Sequence, residues 1–132
     1  MNAPSRDIKD MLIADDTTGL SFGKTGNVFL NAEPTSPADC VTIFDTYGFP
    51  PQLTMDNARY EYPSVNIRVR NKNQNEGWDL VEKIMVSLHG RNHETWNDTL
   101  YTVIEASGSP ALLDQDDNGR FRFVINFNLQ RR

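Results

Sequence analysis

The stretch that most limits what this chain can fold into is Pro63 to Asn71. Val65, Ile67 and Val69 alternate there with Asn66, Arg68 and Arg70. A period of two sends successive side chains to opposite faces of a β-strand, so one face must pack on a core while the other meets water or a partner. A final strand from about Arg120 to Asn128 repeats the pattern, with Phe121, Phe123, Ile125, Phe127 and Leu129 on one face. Strands of this kind need an apolar layer laid over them, and two amphipathic helices are available to supply it. One runs from about Gln74 to His89, with Trp78, Val81, Met85 and Leu88 as its apolar stripe, Ile84 beside it and Gly90 as the terminator. The other starts at Ser5, a good N-cap, and reaches about Ala14 with Ile8, Met11 and Leu12 on one side.

Shorter signals fill in the order. Asn27 to Asn31 reads as a strand, and so does Cys40 to Tyr47, where Val41 and Ile43 alternate with Thr42 and Phe44 in a segment expected to be buried on both sides. Gly48-Phe49-Pro50-Pro51 is expected to end that strand, because proline donates no ladder hydrogen bond and restricts the residue before it. Residues 52–59 read as a polar connection, and Asp15 to Lys24 and Glu33 to Asp39 as loops. Thr99 to Ala106 is a further strand. Between it and the last one lies Ser107 to Gly119, a long excursion carrying Pro110 and an Ala111-Leu112-Leu113 cluster, expected either to fold back onto the sheet or to offer a contact. The fold class is therefore α+β: a mixed, mostly antiparallel sheet with helices packed on it, in the order α-β-β-β-α-β-β. A length of 132 residues suits a single domain over 1–132, since two would each be too small to bury a good core.

Composition narrows the function classes. The lone cysteine, Cys40, has no internal partner, which points to a reducing compartment. No apolar run approaches the roughly 18 residues that span a bilayer, and the first sixteen residues carry no secretory apolar region, so the expected place of synthesis is the cytosol. A net charge of −5 argues against a dedicated nucleic-acid binder, which needs a basic footprint on phosphate. The charge is uneven: residues 1–58 set Arg6, Lys9 and Lys24 against eight acids, whereas residues 59–132 are balanced. After Asp117 come only Arg120, Arg122, Arg131 and Arg132. Ordinary solvation accounts for this, as does an acidic face of one copy meeting a basic edge of the next.

Three apparent chemical motifs fall short on geometry. Gly19-Leu20-Ser21-Phe22-Gly23-Lys24-Thr25 is one residue shorter than the phosphate loop GxxxxGK[ST] and leads into a strand, so the helix N-terminus that would hold a phosphate is missing. Asp114-Gln115-Asp116-Asp117-Asn118-Gly119 copies the first half of a calcium loop, but Ile125 stands where the bidentate glutamate belongs; the plainer reading is a turn at Asn118-Gly119. His89 and His93 straddle Gly90 and need not share a face, and Cys40 and Asp98 are far off in sequence, so zinc-type spacing is absent. No nucleophile elbow is present. The chain is expected not to be an enzyme and to need no cofactor.

One stretch carries a resemblance. Residues 37–90 run Pro37-x-Asp39 into Val41-Thr42-Ile43-Phe44, then Gly48-x-Pro50-Pro51, then Tyr62-Pro63-Ser64-Val65-Asn66-Ile67-Arg68-Val69-Arg70 and a helix ending Leu88-His89-Gly90. This succession resembles the minor capsid and tail terminator proteins of long-tailed bacteriophages, also called tail-completion or tail-to-head joining proteins. The element order extends the likeness over nearly the whole chain, although Asp15 to Lys24 matches nothing in the pattern. The resemblance implies a virion protein of the tail or neck that assembles in the host cytoplasm. Six copies would close into a homohexameric ring that caps the tail tube, stops its polymerisation, and joins the major tail tube protein to a head-completion or connector protein. No membrane or sequence-specific nucleic acid would be involved.

Candidate contact residues follow from strand direction and loop length. They are the outward side of the third strand (Asn66, Arg68, Arg70), the Tyr47, Phe49, Pro50, Pro51 break, the Leu112, Leu113 excursion, and Arg120 and Arg122. For Tyr47 and Phe49 the competing expectation is core packing. The alternative reading of the whole chain is a small ligand- or metal-binding domain, or an enzyme, with a site near Asp114 and Asp116 or His89.

Overall fold

The computed structural model describes residues 1–23, 26–53 and 59–132. Helix α1 (Pro4–Ala14) and a short 3-10 turn (Asp16–Thr18) precede strands β1 (Val28–Leu30), β2 (Cys40–Leu53) and β3 (Arg59–Asn71). Helix α2 (Gln74–Leu88) follows, and then come β4 (Asn92–Trp96), β5 (Thr99–Ala106), β6 (Ala111–Gln115) and β7 (Phe121–Arg131). All seven strands join one sheet in the order β1-β2-β3-β7-β5-β4, with β6 also paired to β7. Only β1 on β2 is parallel among these pairings, so the sheet is mixed and mostly antiparallel, as expected.

The central ladder is β3 on β7. Val65 faces Phe127, Ile67 faces Ile125 and Val69 faces Phe123 across it. These six side chains are buried beneath the helices, together with Ile8, Met11 and Leu12 of α1 and Val81, Ile84 and Leu88 of α2. Directly opposed apolar pairs are the unit of sheet stabilisation, and full burial of each adds roughly 1.5–3 kcal/mol against exposure. The first four residues of β2, Cys40 to Ile43, are buried on both faces as their sequence indicates.

Several details differ from the sequence expectation. Helix α1 begins at Pro4, which fits the first turn because it has no N–H to leave unpaired. Ser5 is thus inside the helix, and no side chain of the preceding Ala3 caps it. On α2 the buried row is Gly77, Val81, Ile84 and Leu88. Trp78 is displaced to the rim, 36% exposed, and meets Phe123 edge-on at 5.8 Å between ring centroids. The reason is Gly77: a Cβ there would lie 2.7 Å from Phe123 Cε2, so the missing side chain lets the helix settle onto that ring.

Two strands went unanticipated. β4 pairs with β5 through a two-residue turn at Asn97 and Asp98, whose φ values of 51° and 64° are those of a tight hairpin. β6 forms from the Ala111-Leu112-Leu113 cluster and docks on the first half of β7, with a bulge between Leu112 and Asp114.

The largest difference is in β2. Gly48-Phe49-Pro50-Pro51 does not end the strand, which continues to Leu53 against β3 with irregularities between Thr46 and Phe49 and between Phe49 and Gln52. Beyond the short β1 this part of β2 is a sheet edge, and the two prolines fall inside the second irregularity, where the ladder is already interrupted. Of the stretch expected to be a polar connection, Gln52, Leu53 and Arg59 are strand, and residues 54–58 lie outside the described residues.

Replacing Gly77 with alanine is expected to lower stability by about 1–3 kcal/mol through overpacking against Phe123. Gly108, with open space around it, should tolerate the same change. Urea denaturation of the two variants measures the difference.

Candidate assembly surfaces

The outer half of β2 forms an exposed arm along β3, whose other side pairs with β7 as far as Glu61. From Thr46 to Leu53 every residue of β2 is exposed. Tyr47 is fully exposed, Phe49 is 71% and Leu53 76% exposed, so the aromatic residues are not core. The arm's shape depends on Gly48, where a Cβ would fall 1.8 Å from the Tyr62 carbonyl oxygen. Phe49, Pro50, Pro51, Gln52 and Tyr62 surround a shallow concavity on it.

Its base is clamped on two sides. Asp45 accepts hydrogen bonds from the Ser5 backbone N–H at 2.8 Å, from the Ser5 hydroxyl at 2.7 Å and from Asn31 Nδ2 at 2.9 Å. The carboxylate thus takes a donor at the first turn of α1, where negative charge is favoured. Across the hairpin, Arg131 is 3.5 Å from Glu61, and Arg132 donates to the Tyr60 hydroxyl at 3.1 Å while lying over its ring at 5.4 Å.

The arginines proposed as contacts divide. Asn66 and Arg68 do lie on the outward side of β3: Asn66 donates to Asn126 at 2.7 Å, and Arg68 donates to Asn66 at 3.3 Å and sits over the Phe44 ring. Arg70 does not join them at the surface. It is 4% exposed, because residues 33–38 fold over it. Its guanidinium donates to the Pro37 and Ala38 carbonyls at 2.8 and 3.0 Å and to Glu33 at 3.2 Å. Arg70 is opposed to Arg122 in the ladder, a like-charge pairing that would be destabilising by itself. Glu33 resolves it, taking Arg70 on one oxygen and Arg122, at 3.3 Å, on the other.

Arg122 also grips Asp114 in a two-pronged pair at 2.5 and 2.7 Å, and Arg120 donates to Asp116 at 2.7 Å and to the Thr35 carbonyl at 2.8 Å. The calcium-like segment is therefore a turn. Asp116 accepts the backbone N–H of Asn118 and of Arg120, and its neighbours are guanidiniums. The Arg122 guanidinium holds the Asp114 carboxyl below its usual range. At Asp116, desolvation pushes upward, but the hydrogen bonds from Arg120 and Asn118 outweigh it and the net shift is also downward.

Arg131 is likewise engaged, 3.9 Å from the buried Asp7. That carboxylate accepts hydrogen bonds from the Tyr101 hydroxyl and from Asn97 at 2.6 Å. Burial, followed by the Asp7 bond, pushes the Tyr101 hydroxyl pKa well up. The basic edge suggested by the last residues is thus spent largely inside the chain, with Arg132 left exposed.

His89 accepts the Ala106 backbone N–H at 3.0 Å and does not meet His93. No cluster of metal-ligating residues occurs among the described residues, and no helix is long and apolar enough to cross a membrane. Of the phosphate-loop lookalike, Lys24 and Thr25 lie outside the described residues.

Leu112 and Leu113 remain exposed although β6 has joined the sheet, so the cluster folds back and stays open at once. Sequence reasoning missed Leu53, Trp78 and Val86 as surface residues. The proline pair, read from the sequence as the end of a strand, marks an edge strand instead.

The family model described as "Bacteriophage tail terminator protein" matches residues 9–132. The chain belongs to that tail terminator family. It is accordingly a structural protein of a phage tail. A solved chain described as "Virion of native gene transfer agent (GTA) particle" shares the fold, with a TM-score of 0.68 and 12% identity, covering 98% of this chain and 94% of that one. A second solved chain matches at a TM-score of 0.58 and 11% identity, covering 98% of the tail terminator and 91% of its counterpart. No curated protein matches the sequence.

Two predictions follow for the polar clusters. Glu33→Gln leaves Arg70 and Arg122 facing each other without their shared anion and should cost about 3 kcal/mol, read from urea denaturation. Folding lowers the carboxyl pKa of Asp114 and of Asp116, so their stabilisation is complete above the unfolded value and disappears as pH falls through the folded one. The stability of the unmodified protein relative to an Asp114→Asn, Asp116→Asn variant should therefore be constant from about pH 7 to 5 and shrink below about pH 4.

Proposed function

We propose that this tail terminator, a single domain over residues 1–132, closes into a homohexameric ring that caps the tail tube. The ring stops tube polymerisation and presents its other side to a head-completion or connector protein. Assembly takes place in the host cytoplasm, and the finished ring resides at the tail–neck junction of the virion.

The arm is the observation that supports ring formation most strongly. Aromatic side chains bury roughly 150–250 Å² each when covered, and Tyr47, Phe49 and Leu53 are left uncovered by their own chain. A rotationally closed ring uses two different patches on every subunit, and the exposed arm supplies one of them. Leu112 and Leu113 on the β6 edge, with Asn66 and Arg68 on the outward sheet face, form further surfaces for the tube and the neck protein.

The reading is of a non-catalytic adaptor. The polar side chains that would have to do chemistry or hold a cation are occupied by their neighbours: Asp114 by Arg122, Asp116 by Arg120, His89 by the Ala106 N–H.

Light scattering at high concentration should show a species of about six times 15.0 kDa, and the protein should bind the ends of purified tail tubes and halt their growth. A strict monomer that ignores tube ends would overturn the proposal. Calcium should leave the thermal midpoint unchanged, since selective binding to the folded state would raise it.

A further inference from the structure

We infer that Asn118 is a site of spontaneous deamidation, a covalent modification that consumes water, releases ammonia and frees β6 from its register on β7. Asn118-Gly119 is the one Asn-Gly pair in the chain, and both residues are exposed in the turn between β6 and β7. A Cβ at Gly119 would meet nothing nearer than Gln115 Nε2 at 3.7 Å, so the space around the pair is open. Asn31, Asn66, Asn92 and Asn97 are held by hydrogen bonds donated from their carboxamides. The Asn118 carboxamide makes none among the described residues, and what fixes Asn118 is its backbone N–H on Asp116 at 3.0 Å. Asn75 is as free, but Glu76 follows it inside α2, with a side chain to crowd the attacking nitrogen and an N–H bound to Asn73.

The step is an attack by the Gly119 backbone nitrogen on the side-chain carbonyl carbon of Asn118. The new C–N bond closes a succinimide ring, and the carboxamide nitrogen leaves as ammonia, taking the proton of the Gly119 N–H with it. Water then opens the ring at either carbonyl. One product is aspartate in an ordinary chain. The other is isoaspartate, linked through the side-chain carbonyl, with an extra methylene in the main chain. The fold opposes the attack through the Gly119 N–H, which donates to the Asp116 carbonyl at 3.0 Å. An exposed turn bond of this kind is among the first in a protein to open, and glycine adopts the backbone angles of an altered turn freely.

The turn is closed by bonds whose spacing an isoaspartate breaks. The Asp116 N–H donates to the Arg120 carbonyl at 2.9 Å, the Asp116 carboxylate accepts the Arg120 backbone N–H at 2.8 Å and its guanidinium at 2.7 Å, and Gln115 Nε2 donates to the Gly119 carbonyl at 2.9 Å. β6 has five residues, all exposed, and among the described residues it pairs with β7 alone, so this turn sets its register. The new carboxylate also adds negative charge beside Asp116 and Asp117. Because β6 carries the exposed Leu112 and Leu113, the conversion reshapes that surface as the protein ages.

The test incubates the folded protein in mildly alkaline buffer beside a urea-unfolded sample, following charge by ion exchange and the modified peptide by mass spectrometry. The folded protein should gain a more acidic, isoaspartate-containing species whose change maps to Asn118. Asn118→Gln, whose longer side chain closes the ring poorly, should not. In the separated isoaspartyl protein, hydrogen exchange of the β6 amides should quicken at least about tenfold, while that of β3 stays unchanged.

Acid gained by the unfolded chain alone would show that the turn protects Asn118 and would overturn the inference. Equal gain in the Asn118→Gln protein would do the same, and so would β6 exchange that is unchanged in the isoaspartyl form.

Discussion

The register of β3 on β7 fixes both faces of the sheet at once. With Val65 opposite Phe127, Ile67 opposite Ile125 and Val69 opposite Phe123, one face becomes the floor on which α1 and α2 rest. A slip of a single residue would turn all of these side chains to the other side, so the apolar pattern leaves little choice. The same register places Ser64 on Asn128, Asn66 on Asn126 and Arg70 on Arg122 across the opposite face. The first two pairs bond to each other. The third repels, and its repulsion is answered by Glu33, which arrives from the segment before β2. A loop that reads as mere punctuation in the sequence is therefore tied to the central ladder by electrostatic need.

The arm depends on that ladder too. β3 is shared between the core and the hairpin, so the strand that anchors the fold also carries Tyr60 and Tyr62 outward. Asp45 marks the changeover: Cys40 to Ile43 are buried, Phe44 is half-buried, and from Asp45 onward β2 is exposed. By pinning this point to the first turn of α1 and to Asn31, the chain gives the exposed part of β2 a rigid root, and β7, paired with β3 as far as Glu61, braces the other side through Arg131 and Arg132.

How much of this could be read beforehand depended on whether a signal was local or tertiary. Both helices, the strong strands and the Phe121–Leu129 stripe follow from periodicity, and the structure has them. The family likeness rested on the order of short motifs and was legible for the same reason. The position of Trp78 was not, because a helical wheel treats Gly77 as neutral, whereas its missing Cβ is what rotates the buried row. The course of β2 past Pro50 was not legible either: proline is a strand breaker only where its N–H would be needed, and whether a strand is an edge is decided by its neighbours. β4 was hidden by polar composition, with Asn97-Asp98 as its one cue. Arg70 looked identical to Arg68 in alternation, yet residues 33–38 cover the first and not the second.

The uneven charge of the sequence shows the same distinction in another form. An acidic first half and arginine-rich end suggest two opposed surfaces, but three of the last four arginines, Arg120, Arg122 and Arg131, are consumed by Asp116, by Asp114 with Glu33, and by Glu61 with Asp7. Two of those five acids, Asp7 and Glu33, come from the acidic first half, so part of the asymmetry is cancelled by folding. Among the exposed charges, Glu76, Asp79 and Glu82 line the open side of α2 with Lys83 among them, and Arg59 stands at the start of β3. The large apolar side chains left uncovered include Tyr47, Phe49 and Leu53 on β2 and Trp78 and Val86 on α2. Folding thus uses up most of the arginine-rich end inside the chain and leaves uncovered apolar side chains on the edge of β2 and on α2.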